Sequence, residues 1–303
     1  MYNEQGDALS DSSLTDELLH AEGLIIQEQD ESARELLLRL AEDAEEYVDR
    51  NCPTTDELQW FSFPTVFDRL CYRRVENDPR ELRDVGEPLD RLYADLALVD
   101  VRMGDYDHAI ESLKQAVRWN PMGCEHRLNL SDLFLVNGDV REAMALAYSV
   151  FERASDARHL VRAYVTFATW FGRGGNARAA AACLAAAKRL DMPDTTLSTL
   201  LDQVEGTESD PATLTDEEVA EVLEAEGLPN GANAEVAVCL LMCATDAAAA
   251  GDRNTATELT VRARDLVGEP AAMALLQLIH EGDAEPATEP SPAPATEAGD
   301  DNA

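Results

Sequence analysis

Three short stretches carry residue types that could do chemistry. Cys239-Leu-Leu-Met-Cys243 sets two thiols one helical turn apart, a spacing able to grip a soft metal, but no His or further Cys stands nearby at zinc-finger spacing. The expectation there is buried small residues and no metal. Cys124-Glu-His126 offers a thiol and an imidazole, the raw material of a nucleophile with its base, without an implied third group to orient the pair. Gly172-Arg-Gly-Gly175 has some of the glycine content of a phosphate loop, yet such a loop follows a strand and needs a downstream Lys with Ser or Thr. This one follows a helical pattern, so a turn between helices is expected. None of the three argues for an enzyme or for a cofactor.

Composition narrows the classes further. The chain has 303 residues, 45% of them hydrophobic, enough for a sizeable core. Sixty acidic residues stand against 24 basic ones, a net charge of -36 that argues against nucleic-acid backbones and anionic membranes as partners. Lys114 and Lys188 are the only lysines, so nearly all the positive charge is arginine, as expected of a GC-rich or salt-adapted source. The opening residues MYNEQGDALSD lack the basic start and apolar run of a secretory signal, and no apolar run approaches the roughly 20 residues that span a bilayer. Six scattered cysteines fit reduced thiols, and a cytosolic protein is expected.

The elements that position these residues read as helices. Leu14, Leu18, Leu19, Ile25 and Ile26 predict a first helix after a mobile start over residues 1–11. Ser32 with Glu35 predicts a capping box for a second, whose stripe is Ala33, Leu37, Leu40, Ala44, Tyr47 and Val48. Thr54 with Glu57 predicts another cap ahead of an aromatic helical segment, broken or restarted at Pro64, in which Trp60, Phe61, Phe63, Phe67 and Tyr72 gather. Those aromatics are expected to pack as an N-terminal cap over residues 12–84. The alternative is a ligand pocket near Trp60 and Phe67.

From Asp90 to Pro121 the pattern is sharpest. Leu92, Leu96, Val99 and Met103 recur at helical spacing, as do Ile110, Leu113 and Val117, with Gly104 suited to stop one helix and Asp105 to cap the next. Tyr93, Leu96, Ala97, Gly104, Asp105, Tyr106, Ala109, Leu113, Ala116 and Pro121 together resemble a tetratricopeptide repeat, a helix-turn-helix unit of roughly 34 residues, although an expected aromatic is Asp100 here. A second unit matches at Leu130, Ser131, Phe134, Gly138, Ala143, Ala147 and Val150, and a third at Tyr164, Phe167, Ala168, Phe171, Gly175, Asn176, Ala180, Leu184 and Ala187. This core covers residues 85–203. An acidic linker follows over 204–214, then degenerate helices over 215–280, including a Thr215–Glu218 capping box and a Gly251-Asp252 turn. The segment 281–303 is a Pro, Ala and acid-rich tail expected to be disordered.

The resemblance implies an all-α fold, an α-solenoid of antiparallel helix hairpins, whose first helices line a concave groove that holds a peptide or helix of another protein. Adaptor or scaffold is the function implied. The groove would show Arg91, Asp95, Leu98 and Arg102 from the first unit, Asn129, Asp132 and Val136 from the second, and Arg162, Thr169 and Arg173 from the third. Four arginines on one face would form a positive strip able to pair carboxylates in forked geometry, open to a partner or to the chain's own acidic tail. Ala94 and Leu98 stand where chaperone-binding relatives carry Lys and Asn, so that carboxylate clamp is not carried over. Two other readings remain: a sensor or enzyme using the aromatic pocket, and an acidic mimic of nucleic acid.

Overall fold

The computed structural model describes residues 14–284, and apart from two short strands, a single 3-10 turn and the connections the described chain is helical. The expectations for residues 1–11, for most of the acidic tail, and for a tail docked in the groove fall outside the described residues.

At the centre, apolar periodicity interrupted by glycine decides the path. Helix α4 (Leu89–Met103) ends at Gly104, whose φ of 80° is the left-handed conformation a side chain disfavours. Asp105 then accepts a hydrogen bond from the His108 amide and opens α5 (Tyr106–Trp119), so the chain reverses within two residues. The two helices pack on each other through residues such as Leu92, Ala97, Ala109 and Leu113, with Ala97 and Ala109 small enough for a close crossing. The same plan gives α6 (Cys124–Asn137) with α7 (Val140–Arg153), and α8 (Ala157–Arg173) with α9 (Ala177–Arg189). Helix α5 packs on α6 and α7 on α8, joining the three pairs in series.

Ahead of them, α1 (Leu14–Ile26) and α2 (Asp30–Asn51) pack on each other and on α4, burying Leu18, Leu37, Leu40 and Leu92 in one cluster. The capping box expected at Ser32 is absent. The helix has already begun at Asp30 with Gln29 at its N-cap and no side-chain cap, while Asp30 and Glu31 place negative charge beside the amides of the first turn.

The aromatic segment corrects the sequence more substantially. Leu58–Phe61 is a strand, β1, paired in parallel with β2 (Glu81–Asp84), and α3 (Val66–Glu76) is the crossover between them. The local sequence Leu-Gln-Trp-Phe favours an extended, half-buried backbone over the helix that the Thr54 signal announces. Pro64 does interrupt the segment, and Thr65 caps α3 by accepting from the Asp68 amide. The strands lie before the three helix pairs and replace none of them. Buried Ser62 fastens this insert to its neighbours: its amide donates to the Trp119 carbonyl at 2.9 Å and its hydroxyl to the Glu87 carbonyl at 2.7 Å.

Beyond α9 the series is not simply continued. Helix α10 (Thr195–Val204) and α11 (Asp216–Ala225), the latter opened by the expected Thr215–Glu218 capping box, both pack on α9. They do not rebuild a pair of their own. Helices α12 (Ala234–Ala249) and α13 (Arg253–Val267) do pair around Gly251, and α14 (Glu269–Ala284) covers them. The first four residues of the predicted tail are thus the end of a helix. Helix α12 lies against α3, where Arg74 and Glu235 pair at 2.9 Å, and the Arg262 guanidinium sits 5.4 Å above the Phe67 ring. No described helix is long and apolar enough to cross a membrane.

Candidate partner-binding cleft

The ten groove residues divide into two groups. On α4, Arg91 reaches back to Glu22 of α1, and Arg102 donates to the Ile25 carbonyl at 2.9 Å and to Asp30 at 3.2 Å. Asp95 is half-buried in the same joint. Burial first, and the Glu22 carboxylate second, push its carboxyl up to about 7, with Arg91 and His126 pulling the other way. Among the described residues its Oδ2 atom has no hydrogen-bond partner. Leu98 stays partly exposed beside them. The positive strip expected here is therefore neutralised by the N-terminal helices, because Arg91 finds an acid on α1 and Arg102 one on α2.

The same joint contains an ion pair that sequence reading did not anticipate. Asp100, the residue that replaces an expected aromatic, is only 1% exposed. Arg34 of α2 pairs with it, donating to Asp100 Oδ1 at 2.6 Å and to Asp105 at 3.0 Å, while Asp100 Oδ2 has no hydrogen-bond partner among the described residues. A buried carboxylate without such a partner would be strongly unfavourable, so α2 is required where it lies.

The second group opens outward. Arg162 is spent on Asn129 at 3.1 Å and Asp132 at 2.8 Å, which ties α8 to α6. Thr169 donates to the Val165 carbonyl in its own helix. Arg173, in contrast, is exposed and makes no ion pair or hydrogen bond among the described residues. Asp132, Val136, Thr169 and Arg173 line a cleft of about 910 Å³ between the turn that follows α6 and the turn that follows α8.

The walls of this cleft are mostly apolar. Thr166, Thr169, Trp170 and Arg173 share one face of α8 at helical spacing, while Val136, Val140 and Met144 face them from α6 and α7. Val136 is 68% exposed and Trp170 43% exposed, unusual for large side chains that could have been buried. The inner edge of Trp170 rests against Phe171, with ring centroids 4.8 Å apart, so its position is set by the core. At one end Asn176 donates to Glu226 at 2.8 Å, bringing the end of α11 to the rim.

Sequence reading missed Trp170, Val140, Met144 and Glu226. Trp170 had a legible signal: it is an aromatic lying between the core positions Phe167 and Phe171 but off their stripe. Glu226 had none, since it arrives from a distant segment.

The other candidates lie elsewhere in the fold. Trp60 donates to the Pro53 carbonyl at 3.1 Å and packs at the edge of the N-terminal cluster, whereas Phe67 belongs to the large cluster that includes α7, α8 and α12. Phe61, Phe63 and Tyr72 stack on one another, with ring centroids 4.9, 4.7 and 5.6 Å apart. Burial pushes the Cys124 thiol up to about 12, which disfavours its thiolate, and His126 lies 3.7 Å from Asp90. Among the described residues no group of three or more His, Cys, Asp or Glu could hold a metal ion. No protein-family model matches this chain, and no curated protein matches it significantly.

Proposed function

We propose that this chain is a protein-binding adaptor of the tetratricopeptide-repeat kind, an α-solenoid in its three central helix pairs, and that it holds an extended peptide or a helix of a partner in the cleft between the second and third pairs. The observation that carries this reading is one unpaired cation, Arg173, beside exposed Val136 and Trp170 in a cleft of about 910 Å³. An apolar side chain of the partner would fill the space against Trp170, and a neighbouring carboxylate would take both guanidinium donors of Arg173. In a chain of net charge -36, an arginine without an ion pair among the described residues offers a partner carboxylate a place at this cleft, which Asp132 and Glu226 also line. No bond-making step is invoked.

Selection of short random peptides on the full chain tests this. Enriched peptides should share a bulky apolar residue next to an acidic residue or a free carboxyl terminus. Their binding should be lost with Trp170→Ala, weakened with Arg173→Glu, and unchanged with Arg91→Ala. Peptides whose binding survives both cleft substitutions would refute the site.

A further inference from the structure

Two Asn-Gly pairs stand in the chain, Asn137-Gly138 and Asn230-Gly231, and the fold treats them differently. In such a pair the glycine amide can attack the side-chain amide carbon beside it, an intramolecular reaction that the missing Cβ leaves unhindered. Backbone freedom at the asparagine decides whether it does. Asn137 is the last residue of α6, and the Gly138 amide donates to the Leu135 carbonyl at 3.3 Å, so attack there requires the final helical turn to unwind. Asn230 is exposed in the connection 226–233 between α11 and α12, outside any helix or strand, and is followed by Gly231 at a φ of 117°.

The neighbours of Asn230 assist the chemistry. The Arg189 guanidinium donates to its Oδ1 atom, where negative charge develops as the carbonyl carbon is attacked. Arg189, Asn230, Gly231 and Tyr164 line one cavity of about 720 Å³, which gives water a way in and ammonia a way out. Tyr164 is only 1% exposed, and both of its hydroxyl contacts lie on this connection: it donates to the Pro229 carbonyl at 2.8 Å and accepts from the Gly231 amide at 2.8 Å. Ring closure at Asn230 gives up that one bond, not a helical turn.

We propose that Asn230 is a self-modification site, which converts through a cyclic imide to isoaspartate and aspartate and thereby frees Tyr164 from the connection. The Gly231 nitrogen attacks Cγ of Asn230, and a C–N bond forms. The Cγ–Nδ2 bond then breaks, and Nδ2 leaves as ammonia with the proton that the Gly231 nitrogen has lost. Water adds to either imide carbonyl and breaks its bond to the ring nitrogen, which takes back a proton. One water is consumed, one ammonia is released, and nothing is oxidised. Opening at the main-chain carbonyl gives isoaspartate, which lengthens the path from Pro229 to Gly231 by one carbon. One phenol then no longer serves both contacts, and a buried hydroxyl is left short of a partner.

The test incubates the full chain at about pH 8 and about 37 °C for several weeks, conditions under which exposed asparagine is labile, and maps its peptides by mass. Asn230 should gain one mass unit in two chromatographically separate products, with ammonia released in step, while Asn137 converts about tenfold more slowly or not at all. The melting temperature should fall by roughly 2–4 °C as isoaspartate accumulates. Asn230→Gln, which would have to close a larger ring, should keep both its mass and its melting temperature over the same interval. Comparing the two sites within the wild-type chain decides the matter even if the variant is unstable. No conversion at Asn230, or conversion of Asn137 at a comparable rate, overturns the proposal, and conversion without a fall in melting temperature overturns the release of Tyr164.

Discussion

The cleft-side face of α8 and the corresponding face of α4 are built from the same ingredients, yet one is open and the other sealed. On α4, Arg91 and Arg102 are satisfied by Glu22, Asp30 and a carbonyl of the α1–α2 connection, and Asp95 is drawn into the joint with them. On α8, Arg162 is spent on α6, but Arg173 and Trp170 lie past its last contact and face solvent. The difference teaches that a groove arginine is available only where no earlier element reaches it. Charge on a helix face identifies candidates, and the neighbour's reach selects among them.

The comparison can be broken most forcefully at Arg34. Arg34→Ala strands the buried Asp100 carboxylate and should cost about 3 kcal/mol, read as a lower denaturant midpoint. Combining Arg34→Met with Asp100→Leu should recover much of that loss, since an apolar pair needs no compensation. If Arg34→Ala is neutral, the N-terminal joint is not held as described.

On the open side, Trp170→Ala should leave stability within about 1 kcal/mol while weakening bound peptide by about 2 kcal/mol, the behaviour of an interface anchor. Calorimetric titration beside thermal melting separates the two effects.

The third contrast is in pH. The Asp95 carboxyl is raised to about 7 in the folded chain, against about 3.9 unfolded. Below the unfolded value both states hold the proton and the joint suffers no penalty. As pH rises towards and through 7 the unfolded state gains by ionising first, so stability is lost. Wild type should therefore lose more stability than Asp95→Asn between pH 5 and about 8, measured by parallel denaturant titrations. Equal slopes would remove Asp95 from the joint.

The smallest expected effect separates the two faces at single charges. Arg173→Glu should change stability by less than about 0.5 kcal/mol, whereas Arg91→Glu replaces an attraction to Glu22 by repulsion and should destabilise by about 1 kcal/mol. Equal values would mean that α1 does not seal α4.

Much of the helical framework was legible because it is written in local terms. Gly104 before Asp105, Gly251 before Asp252, and the Thr215–Glu218 box act through bonds within a few residues of themselves, so spacing alone predicts them. The Ser32 box failed on a local competitor, the acidic turn at Asp30. The strand at Leu58–Phe61 failed on a distant one, since its partner Glu81–Asp84 lies beyond a whole helix.

The candidate site was half legible for the same reason. Val136, Thr169 and Arg173 follow from helix phase, and phase is a property of the sequence. Whether Arg91 or Arg173 is free depends on where α1 and α2 lie, and that placement is fixed by long-range events such as the burial of Asp100 against Arg34. The sequence by itself thus determined which residues become helices, where the pairs turn and which faces carry charge. Tertiary structure alone decided which of those charges were consumed, that α12 returns to α3, and where a cleft remains, because ion pairing and burial depend on through-space neighbours that no local spacing encodes.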